Sequence, residues 1–241
     1  MDIEGAIALV TGANRGIGAA CVEALLTAGA AKVYATARNP AQLATLSDDL
    51  RVVSFGLDIC SEAQVAGATL SGADVNLLIN NAGINFNTPA LAAPSMDIAR
   101  EEIETNYLGT LAMCRAFAPV LKANGGGAIV NMLTILARVN FPLMGSYCAT
   151  KAAGLSLTQA VRAELAKQGT LIVAVMPGAV DTRMTTGLDI PKLRPAEVAE
   201  AALKAIRDGV EDIYPGDMAS SVAAGLAADP KSVEKEFAGY L

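Results

Sequence analysis

The sequence predicts an α/β fold: one domain built on a doubly wound parallel sheet flanked by helices. Three observations carry that expectation. Short apolar runs alternate with amphipathic stretches along the whole chain. The runs are apolar at successive positions, as strands covered on both faces require. A glycine cluster follows the first run directly, where a strand-to-helix turn belongs. The 241 residues are 53% hydrophobic but only 4% aromatic, which suits a large core of small, closely packed side chains. No linker, low-complexity tract or internal repeat divides them, so 1–241 is read as one domain.

The strands are expected at AIALV (6–10), KVYATA (32–37), RVVSFGL (51–57), VNLLIN (75–80), GAIVNML (127–133) and TLIVAVM (170–176), with a short last one at EDIYP (211–215). Helices are expected at 17–28, 40–47, 61–71, 97–123, 147–168 and 195–209. Alternation of this kind gives right-handed crossovers between parallel strands. The stretch 181–195 is rich in Thr, Gly and Pro and has no periodicity, so it is read as a loop near the substrate. The tail 219–241 is read as a short helix or a dimer contact.

TGANRGIG, residues 11–18, joins the first strand to the first helix and places Gly12, Gly16 and Gly18 at GxxxGxG spacing. Such a turn lets backbone approach a pyrophosphate, and the following helix presents free N–H groups to the negative charge. Asn14, Arg15 and Ile17 lie in the same turn and are assigned to the dinucleotide with the glycines. An NAD site carries an acidic residue about 20 residues further on. Here KVYATARNP has none; Ala37 stands at the end of the second strand and Arg38 follows. Arg15 and Arg38 together favour a 2′-phosphate, so NADP(H) is expected over NAD(H).

Composition excludes several chemistries. The chain contains no histidine. That removes Ser-His-Asp and Cys-His catalysis and His-based zinc or iron sites, and no metal is expected. The net charge of −6 gives no basic face for nucleic acid. No run is long and apolar enough to span a membrane, the acidic start is unlike a secretory signal, and a cytoplasmic protein is expected. Cys21, Cys60, Cys114 and Cys148 are widely spaced and are read as buried small side chains.

TGANRGIG at 11–18, NNAG at 80–83, YCATK at 147–151 and PG at 177–178 stand in an order and spacing that resembles the short-chain dehydrogenase/reductase family. The resemblance implies a Rossmann-like domain with a seven-stranded parallel sheet, a nicotinamide cofactor, and reversible hydride transfer between a carbonyl and an alcohol. It further implies that Asp58 contacts the adenine, with Ile59 beside it. Asn80, Ala82 and Gly83 would line the cofactor and support the sheet. Pro177, Gly178, Val180 and Thr182 would flank the nicotinamide carboxamide.

The same resemblance makes Tyr147 the general acid/base and Lys151 its partner, also bound to the nicotinamide ribose. Asn106 would hold a relay water. Tyr147 and Lys151 are i and i+4 and share a helix face. A free phenol titrates at about 10; a nearby ammonium favours its ionised form and an oxidised nicotinamide ring adds positive charge, so the two together are expected to bring the phenol towards neutral pH. The family serine falls at Thr134, thirteen positions before Tyr147. Three readings of Thr134 stay open: a working hydroxyl that orients the substrate oxygen, a narrowed pocket, or an impaired or engineered site.

Leu136, Val139, Phe141, Leu143, Met144, Met184 and Leu188, with Asn85–Asn87, are expected to line an apolar pocket for a hydrophobic ketone or aldehyde. The leading function is an NADP(H)-dependent carbonyl reductase. The alternatives are an NADP-binding sensor or scaffold with weakened chemistry, and a dehydratase or epimerase on the same fold. The helices at 97–123 and 147–168 are candidates for pairing in a homodimer or homotetramer.

Overall fold

The computed structural model describes residues 1–43 and 48–240. Seven parallel strands form one sheet: β1 (Ile7–Thr11), β2 (Lys32–Ala37), β3 (Val52–Gly56), β4 (Leu77–Asn80), β5 (Gly127–Met132), β6 (Thr170–Val175) and β7 (Asp212–Ile213). Their order is β3-β2-β1-β4-β5-β6-β7. The strand order reverses between β1 and β4, which opens a crevice at the carboxyl ends of those strands.

Helices α1 (Gly16–Thr27) and α6 (Pro195–Asp208) cover one face with Cys21, Leu25, Val198 and Ile206. On the other face lie α2 (Glu62–Ser71), α4 (Thr110–Ala123) and α5 (Gly145–Leu165), whose Val65, Phe117 and Leu157 pack on Leu9, Leu78 and Ile129. Leu9 and Ala8 therefore point to opposite faces, and both are fully buried. This double covering is why the central strands are apolar at every position. β3 departs from that expectation: it is an edge strand, and its Val53 is 41% exposed.

The helix expected over 97–123 is interrupted. An α-helix, α3 (Met96–Ile103), passes into a π-helical turn, Glu104–Gly109, before α4 begins. Steric crowding fits this: a Cβ on Gly109 would lie 2.7 Å from the Ile59 side chain. The Thr110 hydroxyl also bonds the Asn106 carbonyl. Of the helix expected over 40–47, Pro40–Leu43 form a 3₁₀ turn, and 44–47 lie outside the described residues.

The loop at 181–195 contains a 3₁₀ turn, Arg183–Thr185, and a parallel bridge from Val180 to Leu193 ties its base. The tail holds two helices, α7 (Asp217–Ala228) and α8 (Pro230–Ala238). Asp229 caps α8 by accepting from the Lys231 and Ser232 amides. Leu226, Val233 and Phe237 pack on Val139, so Val139 belongs to this small core and not to a pocket wall. Cys60 is exposed, against the expectation that all four thiols are buried.

Candidate active site

The glycine turn, NNAG, Thr134 and the 177–182 segment all follow carboxyl ends of strands, and the parallel sheet gathers them at one edge. At the glycine turn, Gly12 and Gly16 have φ of +64° and +55°, which favours glycine. A Cβ on Gly18 would lie 2.2 Å from the Gly12 carbonyl oxygen, so the helix can sit this close only without a side chain. No side chain caps α1, and its first N–H groups face outward from a cradle that a Cβ would fill. These features fit a bound pyrophosphate. Arg15 and Arg38 are exposed, and neither forms an ion pair among the described residues. Asn14 donates to the Gln42 side chain at 2.7 Å, which ties the turn to the chain after β2.

Two residues that the motif reading passed over hold this edge together. The Thr11 hydroxyl accepts from the Asn81 and Ala82 amides and donates to the Ile79 carbonyl. The Asn81 side chain donates to the carbonyls of Thr11 and Gly12. Both lie inside the quoted motifs, so their positions were the signal. Asn80 turns away from the crevice. Its amide donates to Asn131 and to the Cys114 sulfur, within a buried chain that continues to Thr158.

Asp58 accepts from the Cys60 amide, while Ile59 is buried beneath the π-helical turn. The Ile59 side chain belongs to the core. Pro177 accepts through its carbonyl from the Thr134 hydroxyl and the Ile135 amide. Gly178 lies against Met218. Val180 is buried, and Thr182 reaches the glycine turn: a Cβ on Gly16 would meet its methyl at 3.2 Å.

Tyr147 and Lys151 lie on one face of α5, with the Lys151 ammonium 5.7 Å from the Tyr147 ring centroid. Both are buried, and the ammonium donates to the Met132 carbonyl at 3.0 Å. The Tyr147 hydroxyl bonds no described group, which leaves it free for a ligand. Burial pushes its phenol well above the usual value, and nearby Cys148 and Glu102 push it further. Burial also holds the Lys151 ammonium down, from 10.5 to about 8. Desolvation sets the direction for the phenol, and no neighbour among the described residues lowers it.

Asn106 spends its side chain on structure. Its amide nitrogen donates to the Ile84 carbonyl and the Thr150 hydroxyl, and its oxygen accepts from the Ile84 amide. Gly83 lies opposite. A Cβ there would sit 3.1 Å from the Asn106 oxygen and 3.5 Å from the Lys151 nitrogen. The bare glycine therefore leaves a gap bounded by both polar groups. The Thr134 hydroxyl donates to Pro177 and accepts from the Leu136 amide. Its single hydrogen can serve a substrate oxygen only by leaving Pro177.

A cavity of about 310 Å³ is lined by residues that include Asn87, Phe141, Leu143, Met144, Met184 and Leu188. Tyr147 packs in one apolar cluster with Leu136, Phe141, Met144, Met184 and Leu188. Apart from Val139, Asn85 and Phe86, the expected pocket residues line this cavity or join this cluster. Phe141 has a second neighbour: its ring meets Phe237 and Tyr240 edge-on or tilted, so the C-terminal helix backs the cavity wall.

Comparisons with known proteins bear on the family and the fold. A profile of the family described as short chain dehydrogenase matches residues 6–192. A sorbitol dehydrogenase of Cereibacter sphaeroides is 35% identical over 199 residues, 78% of this chain and 76% of its own. An NADP-dependent 3-hydroxy acid dehydrogenase of Schizosaccharomyces pombe is 30% identical over 76% of this chain and 74% of its own. Among solved structures, a short chain dehydrogenase from Burkholderia cenocepacia in complex with NADP superposes with a TM-score of 0.94. It is 47% identical, covering 98% of this chain and 99% of that one. A relative from Burkholderia phymatum in complex with NAD has a TM-score of 0.86 at 22% identity, with 98% and 96% covered, a likeness of fold alone.

Proposed function

Because this chain belongs to the short-chain dehydrogenase family, oxidoreductases that use a nicotinamide cofactor, we propose that it is an NADP(H)-dependent reductase of hydrophobic ketones or aldehydes. One observation carries the reading. A phenol whose hydroxyl has no partner among the described residues packs against Phe141, Met144, Met184 and Leu188, which line an apolar cavity, one helical turn from a buried ammonium and on the sheet edge that holds the glycine cradle.

The cofactor site would be the glycine turn from Gly12 to Gly18, with Asp58, Ala82, Gly83 and the 177–182 segment around it. Arg15 and Arg38 would take the 2′-phosphate, which their charge and their freedom from ion pairs support. The relative with NADP bound supports the same preference. NADPH, when bound, supplies the hydride that no side chain can supply. Tyr147 binds the substrate oxygen through its hydroxyl and gives it a proton. Lys151, charged at neutral pH, stabilises the phenolate left behind; the phenolate regains its proton by way of Lys151, which takes one in turn through water in the gap beside Gly83. Asn106 fixes the backbone that bounds this gap. Thr134 exchanges its bond to Pro177 for one to the substrate oxygen and steadies the charge developing there.

That exchange favours a second reading, an NADP-binding protein with weakened chemistry, should the Thr134 hydrogen stay with Pro177. The outer face of α5, where Ala149, Ala152, Ser156 and Ala160 are exposed, suits a second copy, and light scattering tests for a homo-oligomer. No helix among the described residues is long and apolar enough to cross a membrane.

The experiment is NADPH oxidation with a panel of aliphatic and aryl ketones and aldehydes, repeated with NADH and with Tyr147→Phe. The proposal expects turnover with NADPH, a much lower kcat/KM with NADH, and loss of at least about 10³-fold in the Phe variant with NADPH binding intact. Tight NADPH binding without turnover on any carbonyl would favour the second reading.

A further inference from the structure

Glu102 on α3 is a carboxylate that the reaction above does not use. It is 1% exposed and forms no ion pair among the described residues. Nothing in its sequence context, MDIAREEIETN, distinguishes it from the acidic residues around it. A carboxylate buried to this degree without a cation costs several kcal/mol unless hydrogen bonds hold it. Both oxygens are in fact taken. One accepts from the Phe86 amide at 2.9 Å and the other from the Ser146 hydroxyl at 2.6 Å.

These two donors belong to the two sides of the reaction centre. Ser146 precedes Tyr147 in the first turn of α5, which has no side-chain cap of its own. Phe86 precedes Asn87, a lining residue of the cavity and the one non-glycine with positive φ (52°) among the described residues. Asn106 stands one turn further along from Glu102 and takes both backbone groups of Ile84. Successive turns of one helix thus clamp the 84–86 segment, and both rungs also reach the helix of the acid, Asn106 at Thr150 and Glu102 at Ser146 in its first turn, beside Tyr147.

We propose that Glu102 is a positioning residue: its carboxylate locks the strained cavity wall at Phe86–Asn87 to the first turn of α5, and so sets the place of the Tyr147 hydroxyl relative to the substrate. The inference rests on the reductase reading for its kinetic consequence, but the link itself does not. A negative charge here also acts on the phenol. The groups facing Glu102 from α5 are Tyr147 and Cys148, both pushed up by it, with Lys151 one turn beyond. On its own helix the cation Arg100 is exposed and pairs with Asp97.

The test uses Glu102→Gln and Ser146→Ala. Amide exchange at Phe86 and over 145–147 is followed without substrate, and kcat, KM and NADPH Kd are measured from pH 6 to 10. Glu102→Gln keeps the shape and loses one acceptor and the charge. It should speed exchange at these sites by about tenfold, the worth of one hydrogen bond to a charged group. It should lower kcat while NADPH Kd stays within about twofold. The basic limb of its profile should move to lower pH, because removal of a neighbouring negative charge lets the phenol ionise more easily. Ser146→Ala should speed exchange over 145–147 and lower kcat with the limb in place. Wild-type exchange in both variants, or an unmoved limb in an active Gln variant, would overturn the proposal. Should the Gln variant not fold, exchange in Ser146→Ala decides alone. Faster exchange without carbonyl turnover in the parent would defeat the reductase reading and leave the link standing.

Discussion

Lysine 151 should make the cofactor-free protein less stable than it would be without the charge. The ammonium is 7% exposed and receives one compensating bond, to the Met132 carbonyl. Burial lowers it from 10.5 to about 8. At about 1.4 kcal/mol per tenfold, holding the charged form in the folded state at pH 7 costs about 3 kcal/mol. Lys151→Met keeps the chain length, removes that cost, and forgoes a charge-assisted bond of about 1.5–3 kcal/mol. The net expectation at pH 7 is a variant as stable as the parent or more so by up to about 1.5 kcal/mol, a Tm higher by up to about 6 °C at this chain length. The pH dependence is the sharper readout. Because the folded value lies below the unfolded one, the unfolded chain binds the extra proton between about pH 8 and 10.5. The parent therefore gains stability as pH rises through that window, and the variant lacks this gain. Urea unfolding at pH 7, 8, 9 and 10.5 should show the variant's relative stability falling by about 3 kcal/mol across the range. A difference that stays flat with pH, or a variant weaker by more than about 2 kcal/mol at pH 7, would refute the reasoning. Reductase turnover should be lost in the same protein, so stability and activity would separate at one residue.

Two further outcomes follow from short distances and shared hydroxyls. Gly18→Ala forces a methyl to within 2.2 Å of the Gly12 carbonyl oxygen and 2.6 Å of the Asn81 amide. It should cost at least about 2 kcal/mol in urea unfolding, and NADPH Kd should rise by more than about 100-fold; near-parental binding by fluorescence would contradict the cradle. Thr134→Val removes the hydroxyl that bonds Pro177 and Leu136, at a cost of about 1–3 kcal/mol in stability. Thr134→Ser keeps that hydroxyl, so kcat should be near parental in Ser and about 100-fold lower in Val. Equal kcat in Val and parent would remove Thr134 from the reaction.

The fold was legible because a doubly wound sheet writes itself in the sequence twice. Strands covered on both faces read as unbroken apolar runs, and all seven expected strands match to within about two residues. β3 was misread for the same reason: VVSFG is apolar enough for a central strand, and only topology places it at the edge. The π-helical turn was invisible, because periodicity over 97–123 registers the stripe and not one added residue in the backbone. In the site, Tyr147, Lys151 and the glycines were visible because their chemistry is local: one helical face, one turn. Thr11, Asn81 and Glu102 act across 70, 69 and 44 residues of chain, and no spacing rule reaches that far.

The disagreement over Tyr147 shows what such a site requires. From sequence, a phenol near an ammonium should be acidified; in the folded chain both groups are driven towards neutrality by the same loss of water. For a proton donor this is the useful state. A phenol that stays protonated at pH 7 carries its proton in essentially every molecule, whereas one titrating near 7 would have lost it in half. The difficulty moves to the moment after transfer, when a phenolate appears in a dry pocket. Lys151 meets it there: with a value of about 8 it is still mostly charged at pH 7, and its charge has no carboxylate partner among the described residues. The pair therefore favours the state in which the proton has left Tyr147 and opposite charges face each other. The reverse reaction needs that phenolate before substrate arrives, so under the proposed reading reduction should proceed at neutral pH and alcohol oxidation should rise only as the solution becomes alkaline. An oxidation rate already maximal at pH 7 would mean that the phenol is ionised in the resting enzyme, and that its burial is not what sets its proton.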